Sequence, residues 1–539
     1  MKALSKIILI TIITYSLQFF TIDSTHKFIL DKNNRPSIFH GVNVVYKLPP
    51  YIPDTEKFDP LYSLSKEDIK IMKKLGFNFV RLGIIWESVE KEEGKYDMEY
   101  LNKMEEIINN LGKNGIYTMI DNHQDCFSRN FCGEGVPYFY LDKIGYDKKC
   151  DANILSRLLG LFNICKPMSS FNFRYDDNNL PLIEDCKTEN FLQYHFTPDF
   201  ISAYKSFYEN KYNIQEKFVE FWKVISNKFK NNEYVIGYDL WNEPFPGGIF
   251  NDLSKLIPSN PDNKQVLPLY RKVDKEIRKI NPNYILFFEN TPFPDNYPIF
   301  GGLILGKFNE TPSDKNNNQV YNIHSYCCLA GASVCEEGEP SLEHSKTTCL
   351  KYHNKKIKKN IKDAEELNVP LFLSEFGACS DSENCYNEII NVVKGCEKNF
   401  VSWAYWNYKP YGDHTTSAIK IVDKEGIFNL NGTVQYIKEK SLSRSYIQYY
   451  QGYPISFNYF DDSDTDFESE FIYNDNITEG TILYFNKEFF YQKGFSLKVF
   501  DDKGNLVDGE FKVFDENYID IKLKGVLNGK KVKVVFKKN

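Results

Sequence analysis

Eight short apolar runs recur along the chain, each followed by a helix-like stretch: residues 38–45, 77–84, 116–121, 234–241, 284–289, 320–326, 370–375 and 401–406. Runs of this length, without a polar face, are expected of parallel strands covered by helices on both sides. Helix signals sit between them. Ser65-Lys66-Glu67-Asp68 reads as a capping box ahead of Ile69, Met72 and Leu75, and Gly76 ends that helix. Leu111-Gly112 and Leu367-Asn368 repeat the same stop before a strand. Eight alternations over some 400 residues predict an α/β fold of the (β/α)8 TIM-barrel type. A doubly wound open sheet is the rival, but no glycine-rich phosphate loop follows the first strand. The connection between the third and fourth strands is the longest and holds Cys126, Cys132, Cys150, Cys165 and Cys186. Long loops after barrel strands form the rim, so this one is expected to shape the cleft.

Behind residue 445 the apolar period becomes two. Phe495, Leu497 and Val499 alternate with polar residues, as do Ile519, Ile521 and Leu523, and then Val532, Val534 and Phe536 after an Asn528-Gly529 turn. These are half-buried antiparallel strands, and they predict a C-terminal β-sandwich domain over residues 445–539, behind a barrel over 25–444. Asp461-Asp462-Ser463-Asp464 reads as an acidic turn there.

Residues 1–24 carry early lysines and an uncharged apolar run, the pattern of a signal peptide and short for a membrane span. A secreted protein, or one of the endolysosomal lumen, is the expectation. Twelve cysteines in an oxidising compartment imply disulfide bonds of unspecified connectivity, and the sequons at Asn309, Asn431 and Asn476 suit a glycoprotein. The cysteines lack zinc spacing, and no metal or cofactor is expected. A formal charge of −7 without a basic face speaks against nucleic-acid binding. The 37 Tyr and 43 Phe suit a large aromatic core, a sugar-stacking cleft, or both. Oligomeric state is not legible.

Two strand ends carry the chemistry. Leu240-Trp241-Asn242-Glu243-Pro244 closes the fourth, and Leu371-Phe372-Leu373-Ser374-Glu375-Phe376-Gly377 closes the seventh. Barrel enzymes work at the C-terminal ends of their strands, and a carboxylate there is costly to bury unless partnered or functional. Facing carboxyls imply glycoside hydrolysis, and a separation of about 5 Å implies retention of configuration. Glu375 would attack the anomeric carbon. Glu243, kept neutral by the like charge beside it, would protonate the departing oxygen and then activate water. Arg81 could hold the Glu375 carboxylate, or be an ordinary internal salt bridge. His123 and Asp125 could bind sugar hydroxyls, or His123 could be a core histidine. His324 could tune Glu243 and Tyr326 could bond the nucleophile. Trp406 could offer a sugar platform, while Trp403 reads as core. Lys47 is a binding residue or a surface lysine.

In order and strand context, Arg81, His123, Asn242-Glu243-Pro244, His324, Tyr326, Glu375 and Trp406 resemble glycoside hydrolase family 5. Gly41-Val42-Asn43-Val44-Val45-Tyr46-Lys47-Leu48-Pro49-Pro50-Tyr51, Asn122-His123-Gln124-Asp125, Trp241-Asn242-Glu243-Pro244-Phe245-Pro246-Gly247, His324-Ser325-Tyr326-Cys327, Ser374-Glu375-Phe376-Gly377-Ala378-Cys379 and Tyr491-Gln492-Lys493-Gly494-Phe495 are similar, more narrowly, to the endoglycoceramidases. That resemblance implies cleavage between oligosaccharide and ceramide in glycosphingolipids. It implies sugar contacts from Lys47, His123, Asp125, Asn242, Tyr326 and Trp406, and peripheral contact with a membrane or micelle. Residues 48–53 and 405–411 are candidates for lipid contact. The alternatives are a related β-glycosidase (glucosylceramidase, endogalactosylceramidase or β-glucanase) and a non-catalytic glycan- or lipid-binding protein.

Overall fold

The computed structural model describes residues 19–539 apart from 150–152, 159–163, 294–304, 315–317, 328–334, 337–338, 416–424 and 461–462. Each apolar run matches one strand, β6 and β7 each overrunning by one residue: His40–Val44 (β1), Phe79–Gly83 (β2), Tyr117–Asp121 (β3), Val235–Asp239 (β4), Ile285–Glu289 (β5), Gln319–Ser325 (β6), Leu371–Phe376 (β7) and Ser402–Tyr405 (β8). All pair in parallel with their sequence neighbours, and β8 closes on β1. The result is the (β/α)8 barrel.

Period-two alternation sorts the barrel interior into layers. The floor is apolar: Phe39, Phe79, Met119, Ile236, Ile285, Phe287, Val320, Phe372 and Ala404, joined by Phe20 and Ile22. Further along their strands, toward the mouth, lie Asn43, Arg81, Asp121, Asp239, Asn322 and Ser374, all buried and all polar. The barrel is therefore oily at its base and charged beneath its mouth.

One irregularity re-aims a side chain. Ile323 pairs with Leu373 but His324 pairs with Glu375, so Ser374 is an extra residue in β7. Phe372 faces the floor and Leu373 the helix-side core. Unbroken alternation would turn Ser374 in and Glu375 out. The bulge lets both consecutive side chains reach the interior, and Phe376 returns to the outer core.

The capping box at Ser65 and Asp68 is present on helix Lys66–Lys74. Its last carbonyls, which a helix leaves without internal partners, are taken by the C-terminal region. Tyr518 Oη donates to Lys73 O (2.9 Å), Tyr484 Oη to Lys74 O (2.7 Å) and Tyr446 Oη to Gly76 O (2.8 Å). Gly76 has φ +80°, and a Cβ there would lie 2.3 Å from the Tyr484 ring. The stop at Leu367-Asn368 is as expected, with Asn368 left-handed behind helix Leu350–Leu367, and that at Gly112 differs. Helix Met98–Gly112 runs through Gly112, and the chain reverses at Gly115 (φ +78°), where a Cβ would meet nothing within 4 Å. Gly76→Ala should thus cost stability well beyond the ~1–2 kcal/mol of a left-handed side chain, and Gly115→Ala only that much. Urea unfolding of the two variants measures the difference, and equal losses would refute the crowding at Gly76.

The C-terminal region builds two four-stranded antiparallel sheets from Tyr446–Tyr449 (β9), Gly452–Tyr459 (β10), Phe467–Tyr473 (β11), Thr481–Tyr484 (β12), Phe495–Phe500 (β13), Gly509–Phe514 (β14), Tyr518–Leu523 (β15) and Lys531–Lys538 (β16). Their orders are β9-β12-β15-β14 and β10-β11-β16-β13. Phe457, Phe467, Phe471, Leu483, Ile519, Val532, Val534 and Phe536 share one buried core, which also takes in Ile38 from the barrel side. The Asn528-Gly529 turn joins strands of different sheets, not a hairpin. Asp461 and Asp462 of the acidic turn lie outside the described residues.

Cys132–Cys186, Cys327–Cys349 and Cys379–Cys385 are disulfide-bonded, whereas Cys126 and Cys396 are buried thiols. Cys150, Cys328 and most of the N-terminal apolar run lie outside the described residues. Asn309, Asn431 and Asn476 are exposed. The expected boundary at residue 24 falls inside the small hairpin of Thr21–Ile22 and Ile29–Leu30. No helix among the described residues is long and apolar enough to cross a membrane.

Candidate active site

The ends of β4, β6 and β7 converge on two carboxyls. Glu243 lies just past β4 and Glu375 within β7, and a carboxylate oxygen of each lies within 4.8 Å of the other and of a His324 ring nitrogen. The two acids differ in surroundings. The Glu375 side chain is 6% exposed and that of Glu243 24%, so Glu243 is the more open to the cleft.

Glu375 is held as an anion would be. Arg81 Nη1 donates to Oε1 (2.5 Å) and Tyr326 Oη to Oε2 (3.0 Å). Arg81, fully buried, also meets Asp121 (3.0 Å) and Asp239 (3.0 Å), and it donates to Asn43 and Asn242. Burial alone would weaken its charge, but Asp121, Asp239 and Glu375 hold it firmly protonated. Asn242 is bonded at both ends of its amide, accepting from Arg81 (2.8 Å) and donating to Gln124 O (3.0 Å).

Glu243 is held as an acid would be. Burial, then the negative Asp125, push its pKa up to about 7. The expectation that Glu375 would be the main cause is corrected: desolvation leads. His324 Nδ1 lies 2.8 Å from Glu243 Oε1 and 3.4 Å from Glu375 Oε2. Burial lowers His324 to about 3, so the ring is neutral. Its Nε2 faces Ser374 Oγ (3.0 Å) and Glu289 (3.3 Å), and burial raises Glu289 well above the carboxylate range. A hydroxyl and a protonated carboxyl both supply donors to Nε2. The neighbours therefore favour the Nδ1–H tautomer, which donates to Glu243 and leaves its other oxygen to carry the transferable proton. Glu289 Oε1 also accepts the Glu243 backbone N–H (2.5 Å), at a residue with φ +40°. If Glu243 is the acid, kcat/KM should fall about tenfold per pH unit above pH 7. A profile flat to pH 9 would sink that role.

A second cluster lies beside the first. Lys47, buried, bonds Asp125 (2.5 Å), Asp413 (2.9 Å) and Thr415 (2.7 Å). Burial opposes its charge, but Asp125, Asp413 and Glu134 raise its pKa overall. His123 meets Asp121 at 2.7 Å; burial disfavours its charge, yet Asp121 wins and lifts it to about 10. Trp406 stacks on His123 at 5.1 Å and lies 4.8 Å from the Lys47 ammonium. It is only 3% exposed, so it presents little of a platform. Trp403 is buried in the core, and so is all of 405–411, which removes that run from lipid contact. In 48–53, Tyr51 and Pro53 are buried while Leu48, Pro49, Pro50 and Ile52 keep surface.

Sequence reading missed Asn43, Asp121, Asp239, Asn322, Glu289, Glu134 and Asp413. Glu289 had the same signal as Glu375, an acid closing a buried apolar strand. Asp121 and Asp239 sit two residues beyond inward apolar or glycine positions, and that alternation could have found them.

Paired acids this close, at the rim of a (β/α)8 barrel, place the chain among the retaining glycoside hydrolases. It belongs to glycosyl hydrolase family 5: the family model described as Cellulase (glycosyl hydrolase family 5) matches residues 33–150 and 178–412. The endoglycoceramidase of Cyanea nozakii is 29% identical over 477 residues, 88% of this chain and 85% of that protein. That of Hydra vulgaris is 28% identical over 485 residues, 89% and 83% of the respective chains. Among solved structures, endo-glycoceramidase II from Rhodococcus sp. in complex with ganglioside GM3 superposes with a TM-score of 0.69 at 18% identity, covering 95% of this chain and 99% of that one, a likeness of fold.

Proposed function

We propose that this enzyme cleaves the β-glycosidic bond between oligosaccharide and ceramide in glycosphingolipids, with retention at the anomeric carbon. The observation that carries the substrate is the similarity to endoglycoceramidases over 88% of the chain. Glu375, oriented by its hydrogen bonds from Arg81 and Tyr326, attacks the anomeric carbon as the neutral Glu243 gives its proton to the ceramide oxygen. Glu243, now a carboxylate, takes a proton from water, which attacks the glycosyl-enzyme and frees the sugar. Lys47, Asp125 and His123 form the polar wall offered to sugar hydroxyls.

We further place the enzyme in the secretory route, outside the cell or in the endolysosomal lumen, which the disulfides among the described residues support. Cleavage of a leader before Phe19 would leave Phe20 and Ile22 in the barrel floor. Ile154, Leu158, Ile257 and Leu305, exposed on loops after β3, β4 and β5, support contact of the mouth with lipid. Incubation with gangliosides, glucosylceramide and soluble β-glucan in parallel tests the substrate. Intact oligosaccharide with ceramide as co-product is expected. Hydrolysis of glucosylceramide or glucan alone would replace this reading with a related β-glycosidase.

A further inference from the structure

We propose that Ser325, His353 and Glu388 form a buried positioning chain that sets the end of β6, and through it the two residues that hold the catalytic carboxyls. Ser325 lies between His324, which bonds Glu243, and Tyr326, which bonds Glu375. Strand alternation turns Ser325 outward, into the layer of helices. There its Oγ lies 2.7 Å from His353 Nδ1, and His353 Nε2 lies 2.6 Å from Glu388 Oε1. His353 belongs to helix Leu350–Leu367 and Glu388 to helix Glu383–Lys398. The pattern of a hydroxyl, an imidazole and a carboxylate is that of a hydrolytic triad, but all three are buried, so no substrate reaches it. Its outcome is mechanical. Ser325 donates to Nδ1, and Nε2–H donates to Glu388, which fixes the ring against both helices.

A second tie runs between the same elements. Cys327, next to Tyr326, is bonded to Cys349. Cys349 and His353 stand four residues apart in one helical segment, hence on one face. The strand end bearing His324 and Tyr326 is thus fastened twice to one helix face, once covalently and once through hydrogen bonds. Around it stand the Tyr352 ring, 5.4 Å from the imidazole, and the Cys327–Cys349 disulfide, whose sulfurs lie within 4.8 Å of a Glu388 oxygen. Buried polar groups are an expensive way to join helices that apolar side chains would join as well, and what they add is a defined geometry.

The proposal rests on the roles given to Glu243 and Glu375, so the test carries its own control. Ser325→Ala, Ser325→Thr, His353→Gln and Glu388→Gln are assayed on a soluble aryl β-glycoside, with kcat, KM, pH profile and melting temperature measured for each. Ser325→Ala and His353→Gln should lower kcat about tenfold with KM within about twofold, since small misplacements at a reacting centre are costly. They should also displace the alkaline limb set by Glu243. Ser325→Thr, which keeps the hydroxyl, and Glu388→Gln, which keeps an acceptor, should restore most of kcat. In combination with Tyr326→Phe, the loss from Ser325→Ala should be smaller than in the parent. A lower melting temperature with unchanged kcat, or losses that multiply fully with Tyr326→Phe, would overturn the proposal. A parent enzyme that hydrolyses no glycoside would overturn the functional reading beneath it instead.

Discussion

Replacing Glu375 by Gln should lower kcat on any glycoside by on the order of 10⁴-fold or more, the scale seen when a covalent nucleophile is lost. The amide keeps the size of the carboxylate, and its one oxygen can still accept from Arg81 while its NH2 faces Tyr326 Oη, which can turn to accept. What it loses is the charge that attacks carbon. It also leaves Arg81 facing two carboxylates instead of three. Because the substitution is nearly isosteric, folding should persist, and circular dichroism should match the parent. Intact-mass measurement with a fluorosugar inactivator should show a glycosyl adduct on the parent and none on the variant. A variant that keeps more than about a hundredth of parental kcat would remove Glu375 from the nucleophile's role.

Replacing Glu243 by Ala should give a loss that depends on the leaving group. With a lipid alkoxide departing, acid catalysis is needed, and about 10³-fold should be lost. With a dinitrophenolate departing, protonation is unnecessary and glycosylation should proceed nearly as in the parent. The glycosyl-enzyme would then accumulate, because no base activates water. Azide should relieve that block and yield a β-glycosyl azide, reporting retention directly. The alkaline limb near pH 7 should vanish with the group that causes it. An α-configured azide, or equal losses for both leaving groups, would contradict the assignment.

The barrel was legible because each of its strands carries a short, mostly apolar run buried on both faces, a pattern that local reading detects. Glu243 and Glu375 were legible because a charge closing such a run is out of place unless it has work or a partner. What closes around them was less visible. Arg81 bonds Asp239 and Glu375, 158 and 294 residues away in sequence, and no local pattern carries such pairings. Asp413 reaches Lys47 from the loop behind β8. The bulge at Ser374 is also silent in composition, yet without it Glu375 would face the helices. Trp406 and the tyrosines after it looked like a binding surface, since aromatic residues serve cores and clefts equally. Burial alone separates those uses, and burial is a property of the folded chain.

The backbone at Glu243 sits at φ +40°, in a region that side-chain-bearing residues avoid and glycine enters freely. The enzyme therefore keeps its proton donor on a strained stretch of its rim. Between two inactive variants that both lack the carboxyl, Glu243→Gly should then outlast Glu243→Ala on heating, by about 1 kcal/mol. Catalysis and durability pull in opposite directions at this one residue, and a thermostabilising screen blind to activity would be drawn to it.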